Sequence, residues 1–125
     1  MAKVSVEITV PVYNEEKDLE KNVTTLYEFC SKNLKSYDWH ITIADNASDD
    51  NTPVIASTLT KKYPRILYFR LEQKGRGRAV KRVWSQSKCD YCIYMDLDLS
   101  TDLIHLPNIL KKLGTGYDVA IGSRL

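Results

Sequence analysis

Val4-Ser5-Val6-Glu7-Ile8-Thr9-Val10 is the first of five short apolar, β-branched runs, and the segments between these runs have helical character. Such alternation is typical of a parallel sheet with crossover helices. We therefore predict an α/β fold, a Rossmann-like domain with a mostly parallel sheet flanked by helices. Pro11 is expected to end the first strand. The other strands are predicted over residues 39–44, 66–71, 91–95 and 119–121.

Four helices are predicted between these strands. Asn14 is expected to cap the first helix, whose apolar residues recur at helical spacing from Leu19 to Leu34. Thr52 is expected to cap the second helix, with Pro53 in its first turn. The remaining helices are predicted over 79–84 and 103–113, the last one starting or kinking near Pro107.

Composition sets limits on the class of protein. The chain has 125 residues, which suits one domain, and its formal net charge of +2 is too small to argue for a nucleic-acid partner. No apolar run approaches the roughly 20 residues needed to cross a bilayer, so a cytoplasmic protein is expected. Three cysteines argue against a disulfide framework. Cys89 and Cys92 form a CxxC, but a plain buried thiol is favoured over a redox or metal role, and His40 is expected to be structural.

Tyr94-Met95-Asp96-Leu97-Asp98-Leu99 places two carboxylates one residue apart just past the fourth predicted strand. An Asp-x-Asp at this position can hold a divalent cation, with substrate phosphate oxygens completing the coordination. This interpretation favours a diphosphate ligand. The structural alternative is that Asp96 ends the strand and Asp98 starts a turn or caps the next helix.

The unusual loops all follow strands. In an open parallel sheet, ligands bind beyond the carboxyl ends of the strands, so these loops are expected to share one surface. Carboxylates, glycines and a cluster of basic residues lie in them, which fits a nucleotide diphosphate bound through a metal. The loops span residues 11–15, 45–50, 74–77 and 96–98.

The order of these loops resembles the nucleotide-binding half of the inverting GT-A glycosyltransferases of family 2, and within them the dolichyl-phosphate mannose and glucose synthases. The resemblance covers nearly the whole chain. It rests on Val10-Pro11-Val12-Tyr13-Asn14-Glu15, Asp45-Asn46-Ala47-Ser48-Asp49-Asp50-Asn51-Thr52, Lys74-Gly75-Arg76-Gly77-Arg78-Ala79, Asp96-Leu97-Asp98 and Gly122-Ser123-Arg124.

The resemblance implies one GT-A domain over residues 1–125, lacking the C-terminal acceptor-binding part. It implies inverting transfer of a hexose from GDP-mannose or UDP-glucose to a polyprenyl or dolichyl phosphate at the cytoplasmic face of a membrane, with Mg²⁺ or Mn²⁺ as cofactor. Asp98 and Arg124 would be catalytic, and Asp96 and Asp98 would bind the metal. The implied nucleotide-sugar-binding residues are Pro11, Tyr13, Asn14, Glu15, Asp45, Lys74, Gly75, Arg78 and Asp96.

The sequence departs from the family pattern in two places. Asn46 and Ala47 stand where Asp-Gly is usual, and Ser100 stands where some dolichyl-phosphate synthases have Gln. One alternative function is a truncated, non-catalytic module that binds a nucleotide or a partner chain. A dinucleotide-dependent oxidoreductase is disfavoured because no glycine-rich turn follows the first strand. The exposed sheet edge also favours a homodimer or a partner chain that covers it, because unprotected edges invite strand pairing.

Overall fold

The computed structural model of the chain describes residues 3–73 and 78–95, together with Pro107. Strands and helices alternate along the described residues, as predicted. The elements are β1 (Val4–Val12), α1 (Leu19–Asn33), β2 (Tyr37–Asn46), α2 (Thr52–Lys62), β3 (Ile66–Leu71), α3 (Arg78–Gln86) and β4 (Tyr91–Tyr94).

The four described strands form one parallel sheet in the order β3-β2-β1-β4. The chain builds outward from β1 to β2 and β3, and α3 then returns it to the other side of β1. This reversal creates a switch point between β1 and β4, where open α/β sheets form a ligand crevice. The predicted α/β class with a parallel sheet is confirmed.

The sheet is covered on both faces. Helices α1 and α2 cover the face that carries Val6, Ile8, Ile41, Ile43 and Ile93, all fully buried. Helix α3 covers the opposite face through a smaller cluster of Ala44, Ala79, Val80 and Val83. The apolar residues of β1 alternate with Ser5, Glu7 and Thr9, and Glu7 and Thr9 are buried because α3 covers the face that carries them.

Pro11 does not end the first strand, contrary to the prediction. The Thr9 carbonyl accepts a hydrogen bond from Met95 N at 3.0 Å, on the β4 side of β1. Because strand groups alternate with a period of two residues, the Pro11 nitrogen faces the same side as Thr9, towards β4. The last described pair of residues between β1 and β4 is Thr9 with Tyr94, so Pro11 lies past that pair. The ladder with β2 therefore needs no donor from Pro11, and β1 continues to Val12.

The predicted helix caps were also wrong. Asn14 adopts φ 52°, which no helix start can use, and α1 begins at Leu19 with Asp18 as its N-cap. The N-cap of α2 is Asn51, and Thr52 is the first helical residue. Asn14 and Thr52 are instead engaged in contacts between loops, described below.

Other boundaries differ by a few residues. β2 is longer than predicted, so Asp45 and Asn46 belong to the strand rather than to the loop. The predicted fourth helix and fifth strand lie outside the described residues, apart from Pro107, which is helical. Within the described part of the chain, no helix has the length and apolar character needed to span a membrane.

Candidate functional site

The first loop (residues 13–18) and the second loop (residues 47–51) lie side by side at the carboxyl ends of β1 and β2. Asn14 joins them through two reciprocal hydrogen bonds. The Asn14 backbone N–H donates to Ser48 Oγ at 2.9 Å, and the Asp49 backbone N–H donates to Asn14 Oδ1 at 2.7 Å. Neither contact is available to an isolated loop, so each loop fixes the conformation of the other.

The same pattern continues along both loops. The Glu15 N–H donates to Thr52 Oγ1 at 2.9 Å, and the Glu16 N–H donates to Asp50 Oδ2 at 3.3 Å. In return, the Asn51 N–H donates to Glu16 Oε1 at 2.8 Å. Net contributions of about 0.5–1.5 kcal/mol per hydrogen bond are typical, so the set holds the two loops as one unit.

Asp45 anchors the second loop from beneath. Its side chain is 0% exposed, and Oδ1 accepts hydrogen bonds from Ser48 N at 2.9 Å and Ser48 Oγ at 2.6 Å. Oδ2 accepts from Tyr68 OH at 2.7 Å and Arg70 Nη1 at 3.3 Å. Burial and the hydrogen bond to Asp45 raise the pKa of Tyr68 to about 12. A buried carboxylate is stable here because Arg70 compensates its charge and all four donors converge on it.

Ala47 occupies a conformation that favours glycine. Its φ is 63°, in the left-handed region, at one of the positions where the sequence departs from the family's usual Asp-Gly. This conformation costs a residue with a Cβ about 1–2 kcal/mol. The Asp45–Ser48 hydrogen bonds hold the chain in this turn despite that cost.

Asn46, the other departure, connects β2 to α3. Its Oδ1 accepts a hydrogen bond from the Ala79 backbone N–H at 3.0 Å, in the first turn of α3. The side chain therefore acts as a helix cap supplied from a neighbouring strand. Arg78 begins α3 with an exposed side chain whose Nη1 donates to Gln73 Oε1 at 3.0 Å.

Tyr13 and Glu15 lie on the first loop with different exposure. Tyr13 is 43% exposed, and its OH donates to Asp49 Oδ2 at 3.4 Å, so the ring stands at the surface beside the second loop. Glu15 is half-buried, and burial, followed by the nearby charges of Asp18 and Asp50, raises its pKa. The site thus offers an aromatic face beside a group of carboxylates.

Of the predicted site residues, the structure brings Tyr13, Asn14, Glu15 and Asp45 together through the two loops. Pro11 lies in β1 beside Ala44 of β2. Arg78 lies at the start of α3, next to the residue that Asn46 caps. Five predicted residues lie outside the described part of the chain, and their roles stay predictions: Lys74, Gly75, Asp96, Asp98 and Arg124.

Three residues that organise this region were missed by the sequence analysis: Asn46, Tyr68 and Arg70. Arg70 contacts Asp45 because the β2–β3 register pairs these two positions. The sequence of β3 indicates only that Tyr68 and Arg70 share one face of the strand, because side chains alternate along a strand. The partner strand and its register are not encoded in any short motif.

The sequence pattern described as glycosyl transferase family 2 matches residues 7–125. The chain belongs to this family. It is 34% identical to glycosyltransferase AglD of Haloferax volcanii over 98% of this chain and 20% of that protein. It is 31% identical to a dolichol-phosphate mannosyltransferase of Pyrococcus furiosus over 97% of this chain and 33% of that protein.

A solved structure shares the fold of this family 2 chain. The mannosyltransferase PcManGT from Pyrobaculum calidifontis, in complex with GDP-Man and Mn²⁺, superposes with a TM-score of 0.68 at 23% identity. The match covers 90% of this chain and 33% of that one, and it confirms the predicted GT-A fold class. The family 2 chain thus spans a fifth to a third of the length of these proteins.

Proposed function

We propose that this family 2 chain provides the donor-binding part of an inverting glycosyltransferase that transfers a hexose from a nucleotide sugar to a polyprenyl phosphate. The observation that carries the proposal is the joined pair of loops at the carboxyl ends of β1 and β2, next to the switch point between β1 and β4. Asp96 directly follows Met95, whose backbone N–H bonds to β1 at that switch point.

The first and second loops would receive the nucleoside. Tyr13 offers an exposed aromatic face on which a base can stack, and such stacking is worth about 1–3 kcal/mol per base. Asn14 and Asp45 would position this surface through their contacts with Ser48. The network that holds Asn14 in its left-handed conformation supports this assignment, because a preorganised surface loses less entropy on binding.

The start of α3 would lie towards the diphosphate. The N-terminus of a helix carries partial positive charge and favours phosphate oxygens. Arg78 adds a full positive charge at that helix end, and Lys74 and Gly75 precede it in sequence, separated from it by Arg76 and Gly77. We assign these three residues to the diphosphate and Arg124 to stabilisation of the same charge.

We propose Asp96 and Asp98 as ligands of Mg²⁺ or Mn²⁺. A cation held there would supply charge neutralisation for the departing nucleoside diphosphate. The acceptor is proposed to be a lipid phosphate at the cytoplasmic face of a membrane. Such a phosphate has a second pKa of about 6, so it is mostly deprotonated near neutral pH and needs little help from a general base.

The names of similar proteins support GDP-mannose as the first donor to test. One relative is named a dolichol-phosphate mannosyltransferase, and the solved mannosyltransferase is described with GDP-Man and Mn²⁺. UDP-glucose is the second candidate. A direct comparison of binding must therefore decide which base and which sugar the donor carries.

Calorimetric titration tests the proposal. GDP, GDP-mannose, UDP and UDP-glucose are titrated with and without Mn²⁺ into the wild-type chain, Asp98→Asn and the control Asp38→Asn, whose exposed carboxylate lies near the amino end of β2. We expect Mn²⁺-dependent binding of one nucleotide, lost in Asp98→Asn and kept in Asp38→Asn. Equal binding by all three proteins would contradict the metal assignment. Hexosyl transfer to a lipid phosphate by the wild-type chain, measured separately, would exclude the non-catalytic module.

A further inference from the structure

A cluster of three potential metal ligands lies far from the two loops, on the α3 face of the sheet. Glu7, His40 and Cys89, here called the Glu-His-Cys cluster, place one ligand atom each within 4.8 Å of one another. Glu7 Oε1 lies 2.8 Å from His40 Nε2, and Cys89 Sγ lies 4.0 Å from both ring nitrogens of His40. Glu7 is only 4% exposed.

Strand register explains how these residues meet. Glu7 of β1 pairs with His40 of β2 on one side and with Cys92 of β4 on the other. The three side chains therefore form a row across one face of the sheet. Cys89 lies in the turn just before β4 and brings its thiol to the Glu7–His40 pair, while the register places Cys92 beside Glu7 on the same face of the sheet.

We propose that the Glu-His-Cys cluster, with Cys92 as fourth ligand, is a structural Zn²⁺ site distinct from the Asp-x-Asp. Thiolate, imidazole and carboxylate are the ligands that Zn²⁺ takes in proteins, and four-coordinate tetrahedral geometry is usual for structural sites. Mg²⁺ and Ca²⁺ prefer oxygen ligands and fit this set poorly.

The distances suit this ion. Bond lengths of about 2.3 Å for Zn–S and 2.0–2.1 Å for Zn–N and Zn–O put sulfur about 3.6 Å from nitrogen, and nitrogen about 3.4 Å from oxygen, in a tetrahedral site. Cys89 Sγ and His40 are 4.0 Å apart, and His40 and Glu7 are 2.8 Å apart. Because Cys89 Sγ is equidistant from the two ring nitrogens, the His40 ring would have to turn one nitrogen towards the ion, and shifts of about half an ångström would then complete the geometry for these three ligands.

Neighbouring groups orient the ligands. Thr42 Oγ1 donates a hydrogen bond to Glu7 Oε2, which fixes the carboxylate and leaves Oε1 towards His40. The Cys89 backbone N–H donates to Ser87 Oγ at 3.2 Å and holds the turn before β4. Such outer contacts are typical of protein metal sites.

The position of the site suggests its effect. His40 lies five residues before Asp45 on β2, about 17 Å along the strand, so the ion would not contact the donor site. It would instead tie β4 to β1 and β2. β4 leads directly into Asp96, so a zinc ion there would stabilise the strand that presents the Asp-x-Asp.

Titration of the reduced, metal-free chain with Zn²⁺ and Co²⁺ tests the site. Co²⁺ in place of Zn²⁺ gives a thiolate-to-metal charge-transfer band, which we expect to saturate at one ion per chain. Cys89→Ser, Cys92→Ser and His40→Gln should each weaken Zn²⁺ binding by more than about 100-fold, beyond the 10–100-fold loss typical of an outer contact such as Thr42→Val. Cys30→Ala and Asp98→Asn are controls that should keep the band.

Undiminished intensity of the band in Cys89→Ser, at the Co²⁺ concentration that saturates the wild-type chain, would overturn the proposal. So would absence of the band from the wild-type chain or its loss in Asp98→Asn. A variant that fails to fold leaves a second measurement on the wild-type chain. Zn²⁺ should slow alkylation of Cys89 and Cys92, read by peptide mapping, while Cys30 stays as slow as before because it is buried in the core on the opposite face. Unchanged alkylation of both thiols would also overturn the proposal.

Discussion

The backbone N–H of Asp49 donates a 2.7 Å hydrogen bond to the side chain of Asn14, across 35 residues of sequence. This contact, with the return bond from Asn14 N to Ser48, makes the loops after β1 and β2 one surface. The candidate donor site depends on this surface being formed before a ligand arrives.

Removal of the Asn14 side chain tests this contact. Asn14→Gly keeps the residue suited to φ 52° but loses the acceptor, so we expect a loss of about 0.5–1.5 kcal/mol in the free energy of unfolding. Asn14→Ala loses the acceptor and adds about 1 kcal/mol or more of left-handed backbone cost. Urea unfolding measures both. Exposed Asn33→Ala on α1 is the control, and equal values for all three variants would contradict the account.

Ala47→Gly should stabilise the chain. Glycine adopts φ 63° without the Cβ clash that costs alanine about 1–2 kcal/mol. The greater entropy of glycine in the unfolded chain offsets part of this gain, so the free energy of unfolding should rise by about 0.5–1 kcal/mol. Ala56→Gly, within helix α2, is the matched control and should destabilise by about 1 kcal/mol or more. Opposite signs in urea unfolding support the assignment, whereas a destabilised Ala47→Gly would count against it.

Asp45→Asn should be strongly destabilising. The substitution leaves Arg70 with Glu72 as its remaining charged partner and turns an amide NH₂ towards Ser48 or Tyr68, with an expected loss of about 2–3 kcal/mol. Tyr68→Phe removes only one donor and should lose about 1 kcal/mol. Chemical denaturation compares the two variants. A mild effect of Asp45→Asn would show that Asp45 does not anchor the second loop.

Stability should depend on the ionisation of Glu15. The pKa of Glu15 is raised in the folded chain from its ordinary value of 4.5, so folding favours the protonated carboxyl group. The stability that this group contributes is therefore present at low pH. It is lost as the pH rises above 4.5 and passes the raised pKa of the folded chain. Glu15→Gln should therefore equal wild type near pH 4 and exceed it at pH 7. Glu28→Gln, exposed on α1, removes one negative charge equally and serves as the control. Parallel urea-midpoint curves for wild type and Glu15→Gln would refute this.

The sequence predicted the alternation of strands and helices well because apolar periodicity is local. Residues 66–71 matched β3 at both ends, since Ile66 follows a turn and Leu71 precedes a polar loop. Pro11 and Asn14 misled the prediction because their usual local roles were overridden by neighbours: the end of the β4 ladder for Pro11, and the second loop for Asn14. Local preference rules describe isolated segments, and tertiary contacts decided both positions.

The candidate site was predictable only in part. The loops after β1 and β2 could be placed together because parallel strands end at one edge. The contacts of Asp45 with Arg70, and of Glu7 with His40 and the CxxC, depend on which strands are neighbours and on their register. Neither is visible in a short motif, so the Glu7–His40 pair could not be joined to Cys89 from sequence.

The most direct test of the central claim is calorimetric titration of GDP with Mn²⁺ into the wild-type chain and Tyr13→Ala. Tyr13 is the exposed aromatic residue of the first loop, and loss of base stacking, worth about 1–3 kcal/mol, should weaken GDP binding by about 5–150-fold. Val54→Ala, exposed on α2, is the control and should bind as wild type. Mn²⁺-dependent GDP binding that is unchanged in Tyr13→Ala would contradict the claim that the two loops form the nucleotide site.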